Sequence, residues 1–228
     1  MKYWCSVILF LFPISSNYAQ DSTKALPREL KHGIEFQIGS LLSLDNFDNY
    51  TFSYRYNFNN KSGIRVGIYT NINKDDNDII QQADTVTYIP SIYSHNTNFR
   101  FSVQYLADIM SYNNFSLFWG AGPFIGYYKS ESSSEYLSVN YINKSGSYTK
   151  TISFGLDVVL GVEYNLTNNV LLSGEYGLSI SKENSDISNF QSYIYSNGSP
   201  DQNNKVSGEK HTFSTSGQGV KLGLSVFF

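Results

Sequence analysis

The residues able to do chemistry are sparse. His32, His95 and His211 stand far apart, and Cys5 is the single cysteine, so no metal-ligand spacing is present. His95-Asn96-Thr97 and His211-Thr212-Phe213-Ser214 set hydroxyls beside imidazoles, the pairing a nucleophilic hydrolase needs. Ser and Thr are so common here that chance accounts for both. Asp75, Asp76 and Asp78 cluster as the acids of a protease would, and read more simply as a solvated loop. Gly120-x-Gly122-x-x-x-Gly126 and Gly217-x-Gly219-x-x-x-Gly223 miss the dinucleotide fingerprint by one residue, and no helix follows either. Shared parity within each set points instead to close packing inside a sheet. The sequence thus nominates no catalytic residue, no metal site and no cofactor. One constellation remains: the acids Glu35, Asp157, Glu163 and Glu175, with the bases Arg55, Arg65, Arg100 and Lys221. Such a set could form a selectivity ring or a proton path, or pair internally as a structural charge network.

The elements that carry these eight charges are strands. From Gly33 onward apolar and polar residues alternate with period two, and helical spacing is almost absent. Eight runs follow one another: Ile34 to Leu44, Tyr50 to Phe58, Ile64 to Ile72, Phe99 to Tyr105, Phe115 to Tyr127, Ile152 to Leu166, Val170 to Ile180, and Val220 to Phe228. Each is near the 9 to 11 residues that a tilted membrane strand requires, and their number is even. Pro123 cannot donate to a ladder, so a bulge is expected in the fifth run. Short connections (Asn59 to Ser62, Ala107 to Asn114, Thr167 to Asn169) alternate with long ones (Lys74 to Asn96, Lys129 to Lys150, Lys182 to Thr215). Asp45 to Asn49 is the one short connection on the long side. Tyr88, Tyr93, Tyr136, Tyr141, Tyr148, Tyr193 and Tyr195 in the long segments either make binding contacts or belong to strands continued as hairpins; the pattern allows both.

Composition decides which face meets what. The chain has 228 residues, 15% of them charged and 16% aromatic, with a net charge of -3. Soluble domains average about 25% charged residues, and no basic run is present to neutralise phosphates, which argues against nucleic acid as a partner. Disorder is excluded by the recurring aromatic and β-branched residues. The polar face of the runs is mostly Gly, Ser, Asn and Thr, which suits a crowded barrel lumen better than a surface in bulk water. All eight charges share that face, four of each sign, so unpaired burial would be very costly and mutual pairing is expected. The apolar face carries no charge, as contact with lipid demands. Phe58, Tyr105, Phe115, Tyr164 and Phe228 fall at the short-turn ends, where an interfacial aromatic girdle belongs.

Met1-Lys2, the apolar run Tyr3 to Ile14 and the segment Ser15 to Ala19 read as a cleaved secretory signal peptide, residues 1–19. A periplasmic lead-in over 20–32 and a barrel over 33–228 follow. The leader, the eight alternating strands and the ending Val220-Lys221-Leu222-Gly223-Leu224-Ser225-Val226-Phe227-Phe228 resemble the small outer-membrane β-barrels of the OmpX and OmpA-barrel type. That resemblance implies a Gram-negative outer membrane, contact with its lipid and lipopolysaccharide, and Phe228 as part of the signal read by the barrel-assembly machinery. The fold class expected is all-β, an eight-stranded antiparallel up-and-down transmembrane barrel. Its expected role is structural or surface-interacting and non-enzymatic, with an extracellular ligand reached through the loops. The alternatives are a narrow solute channel and a lipid-A-modifying enzyme.

Overall fold

A computed structural model describes residues 31–39, 50–78, 81–83, 86–88, 91–137, 141–196 and 199–228. The segment expected to be a signal peptide, all but the last two residues of the expected lead-in and the Asp45 to Asn49 connection lie outside them. Among the described residues there are ten strands: β1 (His32–Gly39), β2 (Tyr50–Asn59), β3 (Ser62–Asp78), β4 (Gln81–Ala83), β5 (Val86–Tyr88), β6 (Ser91–Tyr112), β7 (Phe115–Leu137), β8 (Tyr141–Asn165), β9 (Val170–Tyr195) and β10 (Gln202–Phe227). β4 and β5 form a separate hairpin; the other eight close in the order β1-β10-β9-β8-β7-β6-β3-β2. Every neighbour in that ring is antiparallel, including the closing pair β1 with β10, which begins at Gly33 opposite Phe227. The barrel is thus all-β and up-and-down, and closure leaves its backbone no open edge to satisfy in lipid. β1 starts at His32, one residue earlier than the periodicity suggests.

Parity sorts the two faces. Phe36, Ile68, Phe101, Ile125, Leu156, Leu178 and Leu224 point outward and are exposed, while Glu35, Ser53, Arg65, Asp157, Glu175 and Ser225 are buried inside. Among the described residues the outward belt carries no charged side chain from the short turns up to the rung of Phe101, Ile125 and Phe154, where Lys182 of β9 stands opposite Phe154. A closed wall that is apolar outside and polar inside is stable only with hydrocarbon around it. Phe58, Tyr105, Phe115, Tyr164 and Phe228 stand exposed at its short-turn rim.

Those turns are built by side chains that satisfy the backbone. Asn59 Oδ1 accepts from the N–H groups of Lys61 and Ser62, both at 2.8 Å. Thr167 Oγ1 does the same for Asn169 and Val170 at 3.2 and 3.0 Å. The connection read as Ala107 to Asn114 is shorter than expected. β6 runs to Tyr112, a register shift between Asp108 and Met110 keeps it paired, and the turn narrows to Asn113-Asn114 with Asn113 at φ 51°. Pro123 makes no bulge: β7 keeps its register with β6 on either side and only the pairs opposite Gly122 and Pro123 are missing. Gly122 absorbs the irregularity, since a Cβ there would collide with the Val103 carbonyl.

The long connections turn out to be strand. β8, β9 and β10 contain 25, 26 and 26 residues, more than twice what the membrane requires. At about 3.3 Å per residue and a tilt near 40°, such strands rise roughly 40 Å beyond an apolar band about 25 Å tall.

Candidate functional site in the lumen and on the wall above it

Burial of ions in the lumen is tolerable only if each finds a partner, and closure supplies most of them. Arg55 on β2 donates to Glu163 on β8 from across the barrel, and its Nε donates to Asn57 Oδ1 at 2.9 Å. Arg65 on β3 binds Glu175 on β9 through both terminal nitrogens, at 2.8 and 3.2 Å, and reaches Glu35 on β1 at 3.2 Å. Its Nε and second terminal nitrogen also donate to Gln104 Oε1, at 3.0 and 2.6 Å. Arg100 on β6 pairs with Asp157 on β8, donates to Ser179 Oγ at 2.9 Å and lies 3.4 Å above the ring of Phe124. All eight residues singled out in the sequence therefore lie in the lumen, and seven are joined in ion pairs. Lys221 is the exception: its ammonium donates to Gln218 Oε1 at 3.0 Å.

Gln218 owes that position to an irregularity that alternation alone does not display. Between Gly217 and Val220 the register of β10 shifts, with Gly219 at φ +70°. Below the shift odd-numbered residues of β10 face inward; above it even-numbered ones do. Gln218 turns in and donates to Asp157 Oδ1 and Ser179 Oγ, at 2.8 and 2.5 Å. The internal-packing reading of the second glycine set is corrected accordingly. Gly217 faces the outward Tyr176 hydroxyl, Gly219 serves the left-handed turn, and Gly223 alone sits against lumen residues, Ser173 and Gln37.

The lower lumen also holds an apolar layer. Leu106, Phe118 and Val159, each 1% exposed, pack together inside, and Leu171 and Phe227 are buried at the short-turn ends of their strands. Glycine makes room for them. A Cβ at Gly161 would lie 2.5 Å from the Phe118 ring, and one at Gly120 would lie 2.5 Å from Leu106. This layer departs from an inner face of mostly Gly, Ser, Asn and Thr. Its signal was in the chain, because Phe118 and Phe124 share the parity of Gly120 and Gly122.

The upper lumen is open. A cavity of about 1000 Å³ is lined by Arg100, Lys221, Asp157, Glu183, Tyr69 and Tyr128, among others, and touches neither Phe118 nor Leu106. The inward face continues upward from its rim. Cross-strand registers carry it through the rungs Asn98–Tyr128–Thr151–Ser185–Lys210, Asn96–Ser130–Thr149–Ile187–Gly208, Ser94–Ser132–Ser147–Asn189–Val206 and Ile92–Ser134–Ser145–Gln191–Asn204. Ser132 pairs with Ser147 at 3.0 Å and Ser134 with Ser145 at 2.8 Å. The outward rungs between them run Tyr93–Ser133–Gly146–Phe190–Lys205, His95–Glu131–Tyr148–Ser188–Ser207 and Thr97–Lys129–Lys150–Asp186–Glu209. Above the inward rungs, Tyr141 meets Tyr136, Tyr193 and Tyr195 with ring centroids 6.0 to 6.4 Å apart.

The histidines remain apart, bonded to Tyr54 (His32, 2.5 Å), Thr97 (His95, 3.2 Å) and Asn184 (His211, 2.8 Å). Glu131, opposite His95 in register, bonds Lys129 at 2.8 Å. Among the described residues no three His, Cys, Asp or Glu side chains converge as metal ligands.

No family model and no curated protein matches the sequence. Similar solved structures include a major outer membrane protein from Thermus thermophilus, 13% identical over 88% of this chain and 100% of that one, with a TM-score of 0.41. CarO2 of Acinetobacter baumannii is 10% identical over 87% and 99%, with a TM-score of 0.46. Ail, the attachment invasion locus protein of Yersinia pestis, is 13% identical over 87% and 93%, with a TM-score of 0.35. By its own topology and faces, the chain is an eight-stranded antiparallel up-and-down β-barrel with a lipid-facing apolar wall and a charge-paired lumen filled at its short-turn end.

Proposed function

We propose that this chain is a non-enzymatic outer-membrane protein that acts at the cell surface through the strands it raises above the membrane. The observation that carries this reading is the mismatch between strand length and bilayer thickness. β8, β9 and β10 extend well past the apolar belt as a continuous sheet, while the lumen below holds ion pairs and the Leu106–Phe118–Val159 layer. Strand residues in water cost backbone entropy and gain little burial, so a wall of this height argues for contact with something outside the cell. The leader over residues 1–19 exports the chain, Phe228 belongs to the signal for the barrel-assembly machinery, and lipid and lipopolysaccharide surround the belt. The eight lumen charges serve as a structural network.

The test uses intact cells and purified protein. The sequence has Cys5 alone, in the leader, so Lys205→Cys gives a single thiol high on β10. Labelling of that thiol by a membrane-impermeant maleimide on whole cells is expected, together with no unitary conductance steps from the parent protein in planar bilayers. A protected thiol would overturn the surface reading, and reproducible conductance steps would establish a channel. Turnover of lipid A, abolished by His95→Ala or His211→Ala, would establish the enzyme.

A further inference from the structure

The wall above the lumen sorts its charges by face. Across β6 to β10 its three outward rungs carry Lys129, Glu131, Lys150, Asp186, Lys205 and Glu209, with Lys74 where β3 continues them, whereas the four inward rungs carry Lys210 and, on β3 opposite Ser94, Asp75. Both faces lie above the apolar belt, so membrane burial does not account for the difference. The inward rungs are instead mostly Ser, Thr, Asn and Gln, groups that both donate and accept hydrogen bonds. Tyr128 stands at their base and the Tyr136–Tyr141–Tyr193–Tyr195 cluster at their top.

We propose that this inward face binds a neutral, linear glycan chain, running from the Tyr cluster toward the mouth of the lumen. The proposal rests on the surface-interaction reading above and names the partner class. Three observations converge on that class. First, a concavity of about 780 Å³ lies on this face, bordered by Ser132, Ser134, Ser145, Ser147, Asn189 and Gln191. Second, the lowest rung, Asn98–Tyr128–Thr151, also lines the cavity of about 1000 Å³ in the lumen, so trough and cup are continuous. Third, the charge pattern matches an uncharged ligand. Sugar hydroxyls exchange hydrogen bonds with hydroxyls and amides, sugar C–H faces stack on tyrosine rings, and a sulfated or phosphorylated chain would meet one cation where it needs several. The serine pairs Ser132–Ser147 and Ser134–Ser145 use part of each hydroxyl's capacity and leave the rest for a ligand.

The experiment places the purified full-length barrel, in detergent micelles, on an array of neutral linear oligosaccharides of varied linkage, with sulfated oligosaccharides, phospholipid vesicles and denatured collagen as competing probes. Binding to at least one neutral series, strengthening with chain length, is expected. Ser132→Glu combined with Ser147→Glu should weaken it by about tenfold or more, because carboxylates introduced into the trough must be desolvated. Tyr128→Ala should weaken it by about tenfold through loss of stacking. Ser207→Glu, exposed on an outward rung and outside the concavity, should leave it unchanged. All variants must retain the slower migration on boiling that marks a folded barrel. Absence of binding to every neutral glycan, or loss of binding in Ser207→Glu but not in the Ser132/Ser147 pair, overturns the proposal. Binding of sulfated chains, vesicles or collagen alone overturns it too, yet leaves the surface-interaction reading standing. Failure of that broader reading shows separately, in the labelling of Lys205→Cys.

Discussion

Arg65 and Glu175, 110 positions apart in the chain, meet in the lumen through two hydrogen bonds of 2.8 and 3.2 Å. The fork of the guanidinium matches the carboxylate in the bidentate geometry that makes such pairs strong, and a third contact ties Glu35 to the same arginine at 3.2 Å. Closure of β1 on β10 makes this possible, because it brings the first, third and ninth strands around one interior.

Removing Arg65 should therefore leave two buried carboxylates facing each other. Arg65→Met is expected to destabilise the barrel by about 3 to 5 kcal/mol, measured by urea unfolding in lipid vesicles through tryptophan fluorescence. Lys221→Met should cost clearly less, since its ammonium bonds Gln218 and no carboxylate. Equal losses in the two variants would mean that the network does not discriminate between them.

Phe118 fills the lower lumen against Gly161. Replacing it by glycine together with Leu106→Gly should remove most of that apolar layer, at about 3 to 5 kcal/mol for the aromatic side chain. Conductance steps in planar bilayers are then expected from the double variant. Gly161→Leu, in contrast, should overpack the layer and cost about 1 to 3 kcal/mol without any conductance.

Gly219 adopts φ +70° within the irregularity that turns Gln218 inward. A β-branched residue there is strained, so Gly219→Val should destabilise by about 1 to 2 kcal/mol or more. Gly208, which has open space around the Cβ it lacks and an ordinary strand conformation, should accept valine with little change. Thermal unfolding of the two variants compares them directly.

Leu160 faces outward from the middle of β8 and is 54% exposed to whatever surrounds the barrel. Leu160→Arg should cost about 2 to 4 kcal/mol in a bilayer, and much less if that face met water. Ser133→Arg, on the outward face above the belt, should be neutral. Refolding yield into phospholipid vesicles separates the two cases.

Much of this was legible in the chain. Alternation is a local property of an extended backbone, so Glu35, Arg55, Arg65, Arg100, Asp157, Glu163, Glu175 and Lys221 could be assigned to one face without knowing where any strand goes. Phe118 was legible in the same way, yet the glycines beside it make that face read as a row of small residues. The tyrosines above the membrane were ambiguous for another reason. Hairpins and irregular loops share a composition of Ser, Asn and Tyr, and cross-strand pairing alone distinguishes them.

The sequence by itself determined the eight strands of the barrel and the face that most of their side chains take, because period two depends on neighbours along the chain. Tertiary structure decided which arginine meets which acid, that Lys221 is left to Gln218, and that the lumen is filled below and open above. Those facts depend on stagger between strands, and stagger is fixed only when β1 closes on β10 and the irregularity at Gly217 and Val220 exchanges inward for outward.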